Sequence, residues 1–271
     1  MKTVWLLFAV ILVAGVVGCS KPGVRTVSKV KKTTLLYYIK PGTKIGDVAI
    51  NPKDGAKMVW VPNGEFLMGS EERAGYTHQH KVYLDGYWMY KYEVTVVQYR
   101  KFCSETGKQM PKAPEWGWGD NHPIVCVAWQ DAVDYAKWAG ASLPTEAQWE
   151  KAARGTDGRE YPWGNQWDAL KCNEGSKGPK QTQPVGSYDA GASPYGSMDM
   201  AGNVFEWCGD WYAADYYKSG PSRNPTGPTD GSCRVLRGGG WYSDAYDYRC
   251  ASRNDNYPSL SLNLIGFRLT R

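Results

Sequence analysis

Histidine is scarce in this chain of 271 residues: His78, His80 and His122 are the only three. No HExxH pattern occurs among them. His78 and His80 could chelate a metal from an extended strand, although two neighbouring exposed histidines are as a rule incidental. Close cysteine pairs are missing too, so neither a CxxC redox motif nor a zinc knuckle is expected. GxSxG and phosphate-cradling loops are absent, and the spacing of carboxylates such as Asp210 and Asp215 does not single them out as an acid and base. No apolar run after residue 19 approaches the roughly 20 residues a membrane-spanning helix needs. Phenylalanine is rare, at five, against 13 Trp, 19 Tyr and 31 Gly. That imbalance describes a loop-rich fold whose aromatic rings carry polar tips. At 42% hydrophobic and 22% charged residues, the chain is not wholly disordered.

The N-terminus reads as an export signal. Met1-Lys2 precedes the apolar stretch Val4 to Val17, which ends in Val16-Val17-Gly18-Cys19. Fourteen apolar residues fit a signal-peptide core better than a membrane span. Cys19 stands where a bacterial lipoprotein carries its lipidated first residue, so a lipid anchor at the bacterial outer membrane or cell surface is expected. Residues 20–57 hold nine Lys and Arg against Asp47 and Asp54, and read as a basic tether with affinity for anionic headgroups. Removing that segment and the signal leaves 22 basic and 25 acidic residues in 58–271. The whole-chain pI of 8.7 therefore describes the tether, and the domain gives no sign of nucleic-acid binding. Beyond Cys19 there are six cysteines, which either form disulfides in one of fifteen pairings or stay as small buried apolar residues.

Residues 58–271 read as one domain. Met58 to Val61, Pro62-Asn63-Gly64 and Phe66 to Met68 form a hairpin signal, and Val82 to Leu84 with Tyr87 to Met89 around Asp85-Gly86 form a second. Thr95 can cap a helix that buries Val96, Tyr99, Phe102 and Cys103 and stops at Gly107. A second helix spans Trp129 to Ala139 with a stripe of Ala132, Tyr135, Ala136 and Ala139, and Gly140 ends it. Thr145-Glu146-Ala147-Gln148 is a capping box opening a third helix to about Arg154. Beyond Gly155 helical period is lost, and short strands joined by irregular loops are expected.

A series of blocks resembles the formylglycine-generating-enzyme (sulfatase-modifying factor) family. They are Met58-Val59-Trp60-Val61-Pro62 with Gly64 to Gly69, Tyr92-Glu93-Val94-Thr95, Pro123 to Trp129, Leu143 to Glu150, Tyr161-Pro162-Trp163-Gly164, Met200 to Trp207, Arg237 to Trp241 and Gly266-Phe267-Arg268. The resemblance implies an α+β, C-type lectin-like fold of the formylglycine-generating-enzyme subclass. Such a fold has low regular secondary structure, two or three helices and a small twisted antiparallel sheet.

The resemblance also sets a test for activity. The family's oxidising members carry a cysteine pair shortly after Arg-Gly-Gly, which holds copper; soft thiolates select Cu(I). Here Trp241-Tyr242-Ser243-Asp244-Ala245-Tyr246-Asp247-Tyr248-Arg249 intervenes before Cys250, which matches a later, structural cysteine, and Gly240 replaces the usual Ser. Formylglycine formation is not expected, and no catalytic residue or catalytic cofactor is assigned. The sulfoxide synthases that share the fold take iron-binding histidines from an additional helical domain that has no counterpart in these residues.

Residues 242–263 are the most unusual stretch: four Tyr, four Ser, three Asp and three Asn fill fourteen of 22 positions. This is a paratope vocabulary, in which Tyr gives rigid contact area while Ser, Asn and Asp give adaptable hydrogen bonds. It resembles the variable proteins diversified by retroelements, where adenine-templated codons are randomised. By that resemblance the variable, ligand-binding positions are Tyr242, Ser243, Asp244, Tyr246, Asp247, Asn254, Asp255, Asn256, Tyr257, Ser259, Leu260, Ser261, Leu262 and Asn263. Leu260 and Leu262 are expected as exposed contacts. The family also holds calcium with carbonyls and acidic side chains at Gly-Asn-x-x-Glu, which here implies Gly202, Asn203, Val204 and Glu206 as calcium ligands. Asn173 resembles part of a second family site whose Asp-Gly-Phe partner is missing. The expected function is a lipid-anchored surface protein, not an enzyme, that binds a macromolecular ligand, a protein or a surface glycan. The alternatives are an exported formylglycine-generating-type enzyme or accessory with altered chemistry, and a structural envelope lipoprotein.

Overall fold

The computed structural model describes residues 39–71 and 78–271, which belong to one compact unit. The signal at 1–19, Cys19 and the tether up to residue 38 lie outside the described residues. The first strand, β1 (Val48–Ile50), lies inside the expected tether and pairs antiparallel with β2 (Lys57–Val61). Between them Asn51 is fully buried and donates to the Ala139 carbonyl (3.1 Å). Asp54 accepts from the Tyr90 and Tyr135 hydroxyls (3.0 and 2.7 Å). The domain therefore starts ahead of residue 58. Asp54 looks like a tether residue in sequence because its two tyrosine partners lie 36 and 81 positions away.

Neither expected hairpin forms. The strand β2 pairs with β5 (Tyr87–Tyr90), Met58 opposite Tyr90, while β3 (Gly64–Met68) pairs with β4 (His80–Leu84), Gly64 opposite Leu84. The register is unchanged from one pair to the next, so the four segments make one bent ribbon, with Pro62-Asn63 facing Asp85-Gly86 at the bend. Pro62 has no N–H to give the ladder. A Cβ at Gly86 would stand 2.4 Å from the Trp60 ring. The buried Lys151 ammonium donates to the Pro62 and Gly64 carbonyls (2.8 and 2.9 Å), satisfying the groups the bend releases.

The three helices form as their local signals predict. In α1 (Val96–Thr106), Thr95 and Gln98 make a capping box, Gly107 closes the end in the left-handed region, and Val96, Tyr99, Phe102 and Cys103 are buried. Helix α2 (Trp129–Ala139) buries Ala132, Tyr135, Ala136 and Ala139 and stops at Gly140. Thr145 and Gln148 cap α3 (Glu146–Arg154), which is buried on nearly every side, charged residues included. A single further turn, α4 (Tyr216–Ser219), follows the long strand β6 (Phe205–Trp211).

With β7 (Arg234–Arg237), β8 (Asn254–Asn256) and β9 (Ile265–Gly266), β6 forms a sheet in the order β8-β7-β6-β9. The expected sheet was antiparallel throughout, whereas β9 runs parallel to β6. The chain must therefore return along the whole sheet between β8 and β9, and residues 257–264 make that return. Downstream, Val94 and Tyr90 donate to the Phe267 and Leu269 carbonyls, and Trp88 exchanges backbone bonds with Arg271. All six described cysteines are free. Among the described residues no helix is long and apolar enough to cross a membrane.

Candidate functional site

The segment 238–264 makes two loops, and each is fastened at its neck by groups other than the candidate side chains. At the first neck the fully buried Arg237 donates to the Cys250 and Ser252 carbonyls (2.7 and 2.5 Å) and pairs with Glu150. Arg253 forms a two-point pair with Glu146 (2.7 and 2.8 Å). Burial disfavours charge on Glu146, but the guanidinium of Arg253, and then that of Arg237, outweighs it and holds the carboxyl below its ordinary range. Tyr248, with no exposure, crosses the loop interior; its hydroxyl bonds the Ser243 carbonyl (2.8 Å) and accepts from Gly175 N–H.

The second loop is held through its backbone. The Trp129, Cys126 and Phe205 amides donate to the carbonyls of Pro258, Leu262 and Leu264, and the Trp241 indole donates to Asn263 O. A carbonyl is the same whatever side chain sits on its residue, so these bonds survive substitution.

All fourteen candidate positions keep some exposure, while the interleaved Tyr248, Cys250, Ser252 and Arg253 are buried. Tyr242 and Tyr257 stand out at 68% and 63% exposed. Asp244, Ser259, Ser261 and Leu262 are exposed as well, and Ser243, Tyr246, Asp247, Asn254, Asp255, Asn256 and Asn263 are half-buried. Leu260 departs from expectation: it is half-buried and packs against the main core beside Leu264. Several of these side chains serve local turns: Ser243 accepts from Gly240 N–H, Asp244 from Tyr246, Asn254 from Asp255 and Asn256 from Tyr257. Burial, then the charge of Asp244, raises the Asp247 carboxyl above its ordinary value.

Aromatic residues outside 242–263 extend the same face, and sequence reasoning passed over them. Trp116 meets Trp241 edge-on at 5.4 Å, and Trp241 in turn meets Tyr242 at 5.7 Å. The half-buried Arg234 guanidinium is sandwiched between the Trp129 and Trp211 rings (3.7 and 3.4 Å) on the sheet face that Asn256 shares. The available signal was the run Glu115-Trp116-Gly117-Trp118, whose tryptophans fit no helical or strand period.

At the expected calcium segment the motif side chains are already engaged. Glu206 accepts from Arg268 through both oxygens (2.6 and 2.7 Å) and from the Trp149 indole (2.9 Å). The Asn203 carbonyl oxygen accepts from Asn173 Nδ2 and Gln183 N–H, and its amide donates to Glu93. Gly202 and Asn203 both have positive φ, and a Cβ on Gly202 would lie 2.3 Å from Asn173 O. Asn203 O accepts from Trp241 N–H, so this turn fixes the base of the first loop, while Val204 is buried in the core. The side chains of Asn203 and Glu206 therefore do not fit the role of calcium ligands. Two buried oxygens, Glu93 Oε2 and Asn173 Oδ1, on the two residues that bond the Asn203 side chain, have no partner. Burial raises the carboxyls of Glu93 and Asp199, and their mutual proximity adds to it at Glu93. Among the described residues no three His, Cys, Asp or Glu side chains gather as metal ligands.

One small cavity gathers titratable groups, with Asp210, Glu146, His80, Tyr216 and Tyr217 in its lining, whereas Asp215 lies outside it. Asp210 is buried, accepts from Glu146 N–H and has its carboxyl pushed up to about 8, chiefly by burial and then by Glu146; Asp215 is exposed beside Lys218. Cys250 is fully buried, and its thiol is pushed up to about 12 by desolvation. The His78 and His80 rings stack 6.4 Å apart, and His80 packs on Tyr217.

The sulfatase-modifying factor enzyme 1-like domain family matches residues 44–271. The chain is 34% identical to a formylglycine-generating enzyme of Streptomyces coelicolor over 286 residues, covering 81% of this chain and 90% of that one. It is 37% identical over 239 residues to a serine/threonine-protein kinase of Chlamydia caviae; this match takes in 79% of the chain but only 38% of the kinase. Among solved structures, PvdO from Pseudomonas aeruginosa superposes with a TM-score of 0.76 at 28% identity, covering 85% of this chain and 99% of PvdO. A Treponema denticola variable protein superposes at 0.70 with 22% identity, over 84% and 99% of the two chains, and so shares the fold. From the match at 44–271, the three capped helices and the four-stranded sheet, the chain belongs to the sulfatase-modifying factor family, in its α+β, C-type lectin-like fold.

Proposed function

We propose that this protein is a bacterial surface lipoprotein, anchored through Cys19, which binds a protein or surface glycan through the face formed by residues 242–263 and carries no catalytic activity. One observation carries the reading. In this stretch the long-range contacts that hold the fold are made by backbone carbonyls and by Tyr248, Arg253 and their partners, whereas the candidate side chains other than Leu260 reach solvent or serve only local turns. A surface so arranged tolerates replacement, since substitutions away from buried features usually cost under about 0.5 kcal/mol each. Trp116, Trp241 and Tyr242 supply the aromatic anchors typical of binding hot spots. Deep sequencing of the gene's 3′ end across isolates tests the diversified-binder reading. Substitutions clustered in adenine-templated codons of 242–263 between fixed flanks support it, and an invariant stretch ends it.

The 34% identity to a formylglycine-generating enzyme favours a second reading, an exported enzyme or accessory with altered chemistry. Oxygen consumption in the presence of a sulfatase-derived cysteine peptide separates the two. Calcium stays a structural proposal on a single observation: the buried Glu93 Oε2 has no partner. The oxygens open to a hard cation are those of Glu93 and Asn173, not that of Glu206.

A further inference from the structure

The large apolar side chains exposed on the described surface are not scattered evenly. Ile45, Val48 and Ile50 are 55%, 59% and 51% exposed and fall within six consecutive residues. Val48 and Ile50 point to the same side of β1, as alternate residues of a strand do, and Ala49 turns the other way onto the core. The strand is also the outer one of its sheet, so its free edge presents unpaired backbone groups. An apolar edge strand left bare in water is an association hazard, and soluble proteins cover or charge such edges.

The rim of this patch is basic. Lys40, Lys44 and Lys57 are exposed around it, and Lys57 stands opposite Ile50 in the ladder. The nearby acids are already engaged. Asp47 accepts from the Thr43 and Lys44 amides (2.7 and 3.1 Å), Asp54 is buried under two tyrosine hydroxyls, and Glu105 is paired with Lys53. An apolar centre bordered by three exposed lysines, which outnumber the Asp47 carboxylate among them, matches the boundary between acyl chains and anionic headgroups.

We propose that this patch is a membrane-docking surface, which rests on an anionic lipid bilayer and so orients the domain. Its place in the chain supports that occupant. The described residues begin at Ile39, six positions ahead of Ile45, and the basic segment that precedes them leads back to Cys19. Nineteen residues lie between Cys19 and Ile39, a length of chain whose greatest reach is about 70 Å, so a lipid anchor alone does not fix the height and tilt of the domain. Docking through Ile45, Val48 and Ile50 removes that freedom. The setting rests on the lipoprotein reading, but the surface chemistry can be tested without the anchor.

The test uses residues 39–271, which hold the whole described core, in flotation assays with phosphatidylcholine vesicles and with vesicles that also contain phosphatidylglycerol. The protein is expected to float with the anionic vesicles and to be released by salt. Ile45→Ser, Val48→Ser and Ile50→Ser together should lower the partition coefficient at least about tenfold. A second variant, K40E/K44E/K57E, should lose anionic binding with its apolar residues intact, and each variant's melting temperature confirms folding. Equal partitioning of the parent and both variants, or none for the parent, overturns the proposal. A dimer in sedimentation that the triple serine variant abolishes, without vesicle binding, overturns it in favour of contact between two copies. Incorporation of labelled palmitate at Cys19, lost in Cys19→Ser, reports on the lipoprotein reading separately.

Discussion

Arg253 is gripped at two points by Glu146, although 107 positions separate them in sequence. The pair ties the residue just before β8 to the first turn of α3, so a buried helix of the scaffold sets where the solvent-facing Asn254, Asp255 and Asn256 begin. Removing one partner leaves the other charged and buried. Glu146→Ala is therefore expected to lower stability by about 3–5 kcal/mol, read as a fall in the urea midpoint. A loss below about 1 kcal/mol would show that the neck does not depend on this pair.

Replacing Tyr242, Tyr246 and Tyr257 together by Ala should act in the opposite way. All three keep exposure, and the expected total loss of stability is under about 1.5 kcal/mol, while binding by the face is abolished. Calorimetry measures the first quantity and cell-surface retention of a cognate ligand the second; binding unchanged in the triple variant ends the proposal.

Asp210 gives stability a pH dependence. Its carboxyl is raised from 3.8 to about 8 in the folded chain, chiefly by burial. The folded state therefore holds a proton that the unfolded state releases, and the contribution, fully present below the unfolded value, is lost as pH rises through about 8. Between pH 5 and 8 the parent should become less stable, and Asp210→Asn, which cannot ionise, should show a flatter profile. Parallel profiles for the two would exclude Asp210 as the cause.

Calcium can be tested without a binding partner. If Glu93 Oε2 helps to hold the ion, metal analysis after dialysis finds calcium in the protein, and chelation lowers the melting temperature. Glu93→Gln should remove both the metal and the response. Protein free of calcium after dialysis, with a melt indifferent to chelator, leaves a shared proton between Glu93 and Asp199 as the account of this cluster.

Gly202→Ala probes the turn beneath the first loop. The new Cβ would lie 2.3 Å from a backbone oxygen, at a φ of +79°. Positive φ alone costs a non-glycine residue roughly 1–2 kcal/mol, and the backbone clash adds to it. A variant as stable as the parent would show that the Asn173 segment can move away.

How much of this was readable from sequence follows the range of the forces involved. The helices were legible to the residue at their caps, because Thr95, Gln98, Thr145 and Gln148 act on amides three positions away. The ribbon was misread because Asn63-Gly64 and Asp85-Gly86 carry the local chemistry of turns. Their role as a bend depends on Lys151, 87 and 89 positions from the carbonyls it holds. The same limit applied to the motif acid Glu206, whose partner Arg268 is 62 positions on. Exposure in 242–263 was largely legible from composition, but Leu260 was not, since its packing depends on a core assembled from distant segments. Trp116 and Arg234 joined the face only once the loops were folded around them.

The parallel strand β9 and the residues after it, Phe267 and Arg268, lie downstream of 242–263 and are indispensable to the core. Translation reaches them only after the loop face has been written. A codon change in the loops that keeps the reading frame leaves them intact; an insertion or deletion that shifts the frame removes the Arg268 guanidinium from Glu206 and the Phe267 ring from the Tyr99 and Tyr135 cluster. Such a product lacks both contacts, so if the loops vary as proposed, an altered face would be presented only when the message behind it has been read correctly to the closing strand.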